Sequence, residues 1–187
     1  MISDGGDDYG LTFTGADGLD SRIQMDGGAA NTYTGKTTVE SARLEIDKPD
    51  NVVAIQGDLD IDGDATLPGR VQLDSNEQIA DTSTVTILNN GSFNVNGRTE
   101  TVGSVSVQSG GEIFGAGTLA SGGLTVTGGT LTPGASAGTL SLGGDLSTDA
   151  DTVFDFELLG TDTTAGSNVN DLIDSIVNLD LNNTLNV

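Results

Sequence analysis

The chain has 187 residues with 28 acids, 6 bases and no histidine, a formal net charge of −22; such a surface argues against DNA, RNA and anionic membranes, whose phosphates need cations. The lack of cysteine leaves no disulfide, thiolate catalysis or zinc–sulfur site. With aromatics at only 4 %, 28 glycines and 3 prolines, the composition suits many short strands joined by Gly, Asn and Asp turns.

In chain order, residues 1–30 carry two weak strands, Leu11–Phe13 and Arg22–Met25, between Asp/Gly turns. A turn at Asn31–Gly35 opens the first strong strand, 38–46, with Val39, Leu44 and Ile46 apolar between polar neighbours. Val53–Asp62 follows. Val53, Ile55, Leu59 and Ile61 share one parity there, and Gln56, Asp58, Asp60 and Asp62 the other. Period-two alternation turns the first set inward and the carboxylates outward.

Further strands are expected at Arg70–Leu73, Thr84–Leu88, Ser92–Val95, Thr101–Val107, Glu112–Phe114, Leu124–Val126, Thr130–Thr132, Thr139–Leu142 and Val153–Leu158. Asn90-Gly91 and Asn96-Gly97 are turn signals. Val169, Leu172, Ile173, Ile176 and Val177 fit a helical stripe. Yet Ile173, Val177, Leu179, Leu181, Leu185 and Val187 fall on one strand parity. Strands are preferred, with a short helix at 169–177 as the alternative. The six cations, Arg22, Lys36, Arg43, Lys48, Arg70 and Arg98, all precede Thr99.

Short strands make sandwiches, barrels or solenoids. Evenly spread Gly and Asn and the shortage of aromatics favour an all-β solenoid, whose narrow core is filled by stacked Val, Ile and Leu. At roughly 20–25 residues per coil the chain gives about eight coils, stacked over roughly 40 Å. One domain, 1–187, is expected, with 1–30 as irregular leading coils and 31–187 as the main stack. Because the chain stops within a strand-like pattern at NTLNV, it reads as an excerpt of a longer protein.

Residues 31–46, through their run NTYTGKTTVESARL, resemble the autotransporter-associated β-strand repeat of bacterial surface passenger domains, departing from it where Ala42 or Arg43 replaces a usual Gly. GGTLTPGASAGTLSLGGDLS (128–147) is similar to the P-G-x-S-x-G-T-L segment that often follows such repeats. NDLIDSIVNLDLNNTLNV (170–187) resembles their D-x-L … L-x-V ending, with Asn182-Asn183 in place of a Gly pair. The resemblance implies a right-handed parallel β-helix, exported to the outer surface of a bacterium with an outer membrane.

Four constellations bear on chemistry. Gly134–Gly138 has the G-x-S-x-G spacing of a nucleophile elbow around Ser136, but no histidine exists to take the serine proton and no helix is expected after it. Gly35-Lys36-Thr37 matches the end of a P-loop, but Ala30 stands where its first Gly belongs. Asp58, Asp60, Asp62, Gly63 and Asp64 open like a calcium loop. The bidentate Glu due at the twelfth position is Gly69, which rejects an EF-hand and leaves a looser calcium site or a solvated acidic face. Carboxylate pairs suited to glycoside cleavage arise by chance among 28 acids.

The expectation is therefore a non-enzymatic stalk or passenger segment with no obligatory cofactor. Its partners would be cell-surface glycans or proteins, and its end coils could self-stack. The alternatives are a carbohydrate-active β-helix and a calcium-dependent adhesin module. Stacking of outward carboxylates on successive coils is also expected. At ~4.8 Å two such charges repel by about 0.9 kcal/mol in water.

Overall fold

The computed structural model describes residues 1–64, 66–134, 136–161 and 169–182, with 17–19 described by their backbone alone. Seventeen strands, β1–β17 in chain order, form a parallel β-solenoid with no helix among the described residues. Three sides wind around one core. The first carries the leading halves of β1 (Leu11–Met25) and β2 (Thr37–Ile46). It continues through β3 (Leu59–Asp62), β5 (Thr84–Ile87), β8 (Ser104–Val107), β11 (Leu124–Val126), β14 (Leu146–Thr148) and β17 (Leu179–Leu181).

The second side carries the trailing halves of β1 and β2. Above them lie β4 (Gly69–Leu73), β6 (Gly91–Asn94), β9 (Glu112–Phe114), β12 (Thr130–Thr132) and β15 (Val153–Phe154). The third is a separate sheet of β7 (Thr99–Val102), β10 (Gly117–Ser121), β13 (Thr139–Leu142) and β16 (Leu172–Asp174). Strand β16 settles the ambiguous run: the stripe at 169–177 is not a helix.

Alternation builds the core. In-register stacking gives the inward column Val39, Ile61, Ile87, Val107, Val126 on the first side. On the second it gives Leu44, Val71, Phe93, Ile113, Leu131. Val39, Leu44, Ile46, Leu59, Ile61, Val105, Val107, Leu140 and Leu142, the inward residues of the alternation, are all buried. Each column is continuous because the rung spacing of ~4.8 Å is close to the contact distance of branched side chains.

The first corner has a local code. Ser41, Asn90, Gly110 and Gly128 all have positive φ, and each is followed by a small residue, Ala42, Gly91, Gly111 or Gly129. That residue must be small. A Cβ on Gly91 would stand 2.2 Å from the carbonyl oxygen of Ile61 on the rung below. Ala42 lies in register with this glycine column, since Arg43 pairs with Arg70. Ala42 thus places one methyl below the glycine run Gly69, Gly91, Gly111 and Gly129, and Thr152 stands above that run.

Several boundaries differ from expectation. The stack makes about six turns rather than about eight. Its last turn spans 33 residues, the separation of the stacked pair Asp145 and Asn178. Within that turn Leu158 and Asn170 pair through an isolated antiparallel bridge. Val153–Leu158 accordingly keeps only Val153–Phe154 as strand. Val53–Asp62 is not one strand: Ile55 bridges Ile79 on the third side, and the chain turns at Gly57 before β3. Thr101–Val107 turns likewise at Gly103. Strands β10 and β14 were not expected. The leading residues join the stack, β1 pairing with β2 through two register shifts.

Candidate functional site

The four aspartates of the calcium-like opening do not converge. Asp58 Oδ1 accepts the Thr84 amide at 2.8 Å, and Asp60 pairs with Lys36 Nζ at 2.7 Å. Asp62 Oδ1 accepts the Gly63 amide at 2.8 Å. Asp64 Oδ1 takes the Thr66 amide, the Thr66 hydroxyl and the Leu67 amide, each at 2.7 Å. The Thr66 hydroxyl and then those amides hold the Asp64 carboxyl below the usual carboxylate range. Among the described residues, no group of three or more acids stands close enough to hold a metal ion.

The other two motifs are also placed. Lys36, from the P-loop-like ending, serves Asp60. Ser136 is exposed in the loop between β12 and β13.

Carboxylates stack less than the expected parallel pairing of outward acids implies. Outward positions of paired rungs are mostly Thr and Ser, as in Thr86 over Asp60 and Ser106 over Thr86. Glu40 beneath Asp62 is a carboxylate-on-carboxylate pair. Many acids stand at corners, where they accept amides of a neighbouring coil. Asp50 takes Asn76 at 2.8 Å, Asp149 takes Gly128 at 2.9 Å, and Glu77 takes Thr101 at 3.1 Å. These acids act as staples between turns. Salt should therefore act mainly on the net charge. Melting temperature is expected to rise from low to moderate salt by roughly 2–4 °C per kcal/mol of screened repulsion. Calcium chloride at matched ionic strength should add nothing further. A larger rise with calcium than with sodium would restore a specific site.

Several polar side chains are buried, and the alternation alone does not reveal them. Glu45 faces outward, yet Arg22 and Arg43 cover it. Lys48 donates its ammonium to the carbonyls of Asp26 and Ala29, both at 2.9 Å, and so holds the turn at 26–29. The third side has only an isolated bridge below β7, and side chains replace the missing ladder. Gln78 Oε1 accepts the Lys48 amide at 3.0 Å. Glu100 accepts the amides of Gln78 and Ile79 at 2.8 and 2.9 Å. Burial pushes the Glu100 carboxyl up to about 8, with Glu77 and Asp81 adding to the rise and the two amides opposing it. Asp171 joins the Gly138 amide to the Glu157 amide, at 2.8 and 2.7 Å.

One groove gathers charge, hydroxyl and ring. It encloses about 350 Å³ on the second side, lined by Arg70, Glu112, Phe114, Thr132, Asp155 and Glu157, with Gly134 at its edge. Register explains the convergence. Arg22, Arg43, Arg70, Ser92, Glu112 and Thr130 form one outward column, and Gln72, Asn94, Phe114 and Thr132 form its neighbour. Arg70 extends along the first column. Its Nε donates to Ser92 Oγ at 3.1 Å, and its guanidinium carbon lies 4.9 Å from the centre of the Phe114 ring, a cation–π contact. Burial lowers the Arg70 pKa, Glu112 opposes that and Arg43 reinforces it. The group stays charged, since a guanidinium keeps its proton in proteins at ordinary pH. Thr132 donates to Glu112 at 3.3 Å. Comparison with protein-family models, curated proteins and solved structures finds no match.

Proposed function

We propose that the chain is a non-enzymatic stalk segment of a bacterial surface protein, of the autotransporter passenger kind, that holds a distal region away from the cell. The observation that supports this reading is the stacking itself. Parallel pairing runs from β1 to β17 on the first side, and corner acids tie successive turns together. A rod of such turns resists bending because each turn hydrogen-bonds to the next over its length. The resemblance of residues 31–46 and 128–147 to passenger repeats supports surface display. Leu179 and Leu181, exposed on the last rung of the first side, would accept a further coil or another copy.

In a stalk the turns are interchangeable. Residues 104–122 can be removed so that Gly123 follows Gly103 in the column where Ser104 stood, because Val105 and Leu124 share one register; Glu100, which the Gln78 and Ile79 amides need, is kept. With an outer-membrane anchor and a distal epitope added, both the full and the shortened chain should present the epitope to antibody on intact cells. Scattering should find the shortened rod roughly 5 Å shorter, one rung at ~4.8 Å. Failure of the shortened chain to fold or to present the epitope would count against interchangeable turns, and so against a stalk.

A further inference from the structure

We propose that the groove on the second side binds a neutral oligosaccharide segment lying along the solenoid axis. The inference concerns a ligand and stands apart from the stalk reading. Its direction follows from the lining: Glu112 and Phe114 come from β9, Thr132 from β12, and Asp155 and Glu157 from the chain just after β15. These are successive rungs, so the groove crosses roughly 10 Å of the axis at ~4.8 Å per rung. Arg70 enters from beyond β6. The volume of about 350 Å³ lies within the range of small-ligand sites, roughly 300–1,000 Å³.

The chemistry selects the ligand class. Glu112, Asp155 and Glu157 offer carboxylate oxygens, which accept. Asp155 and Glu157 are exposed and make no side-chain hydrogen bond to the described residues. Arg70 uses its Nε on Ser92, and its outer nitrogens make no hydrogen bond to the described residues. Thr132 can donate or accept. A sugar hydroxyl also donates and accepts, so a row of vicinal hydroxyls satisfies both kinds of partner at once.

Charge narrows the choice. A uronate chain would meet three carboxylates against one guanidinium. A cationic segment would meet Arg70, which already occupies the Phe114 face that a ligand cation would seek. A neutral glycan avoids the carboxylate repulsion and does not compete with Arg70 for a cation–π face.

Isothermal titration of the full chain with cellohexaose, xylohexaose, mannohexaose, chitohexaose, hexagalacturonate and pentalysine tests this. At least one neutral hexasaccharide should bind. The double variant E112Q/D155N should weaken it by about tenfold or more, the loss of hydrogen bonds to charged acceptors, without lowering the melting temperature. Should that variant fail to fold, T132V removes the groove hydroxyl and should weaken the same ligand. Four results would overturn the proposal: no neutral binding at millimolar concentration, tighter binding of hexagalacturonate, binding of pentalysine alone, or neutral binding that the variants leave intact. None of them bears on whether the shortened rod folds and displays its epitope.

Discussion

Replacing Phe93 with alanine is expected to lower the stability of the chain by about 3–5 kcal/mol, the range for a large aromatic removed from a packed interior. Phe93 is fully buried between Val71 below and Ile113 above, in the inward column of the second side. In a compact globule, neighbours can relax into such a space from several directions. Here the residues above and below are fixed by the ladder at ~4.8 Å per rung, and each is branched and shorter than Phe. The cavity therefore persists, and its cost adds to the lost transfer free energy. Phe13, half-buried on the first rung, is the control. F13A removes less buried surface and leaves an opening that water can fill. Hydrogen exchange after F93A should rise first in the turn containing Phe93, since stability in a solenoid is largely a sum over neighbouring turns. A loss below about 1.5 kcal/mol, or one equal to that of F13A, would mean that the column is not packed as described.

The alternation that placed Phe93 inward was readable wherever a strand was bounded by a turn signal. Asn90-Gly91 marks the corner before Phe93, and Asn96-Gly97 the one after it. Two corners inside expected strands escaped this reading. At Gly57 the chain turns from one side to the next without changing the parity of the apolar residues, so Ile55 and Leu59 read as parts of one strand; at Gly103 the inward parity does change, from Val102 to Val105, but a lone glycine marks the corner. Only the rung below shows the corner at Gly57: a Cβ there would lie 2.4 Å from the Thr34 carbonyl oxygen.

The groove was unreadable for a different reason. Arg70, Glu112, Thr132 and Asp155 come from separate turns, and no local motif links them. Their meeting depends on register, which in turn depends on the varying lengths of the corners. The aspartates at 58–64 erred in the opposite direction. They are close in sequence, but a corner and a local turn point them at different amides. Glu100 was hidden by its type. Its position between Thr99 and Thr101 matches the parity of buried Val102, but a carboxylate there reads as outward until Gln78 and Ile79 are seen to need an acceptor.

That buried carboxyl makes stability fall as pH rises. In the unfolded chain Glu100 titrates at its ordinary 4.5, and in the folded chain at about 8. Between these values the folded state holds a proton that the unfolded state has released, so each rise in pH favours unfolding. The contribution is complete below about 4.5 and gone above about 8. At ~1.4 kcal/mol per pH unit it amounts to a few kcal/mol across the window. Asp4, Asp50, Asp64 and Asp149 act the other way. Hydrogen bonds, chiefly from the Gly6, Asn76 and Gly128 amides and the Thr66 hydroxyl, lower their pKa values. Their support is present above the normal carboxylate range and is lost as pH falls through the lowered values.

Maximum stability is therefore expected on the acid side of neutrality, near the ordinary carboxyl value. The net charge also weakens the fold as pH rises, so wild type alone cannot isolate Glu100. The variant E100Q can. Its amide oxygen accepts one of the two backbone N–H groups and its NH₂ faces the other, which loses its acceptor at a cost of about 1–3 kcal/mol. E100Q should be less stable than wild type at pH 5. The gap should close or reverse by pH 8, because only wild type pays for ionising a buried group. Melting curves of both proteins at constant ionic strength across this range decide the matter. Parallel curves would mean that Glu100 is ionised throughout, its charge held by the Gln78 and Ile79 amides.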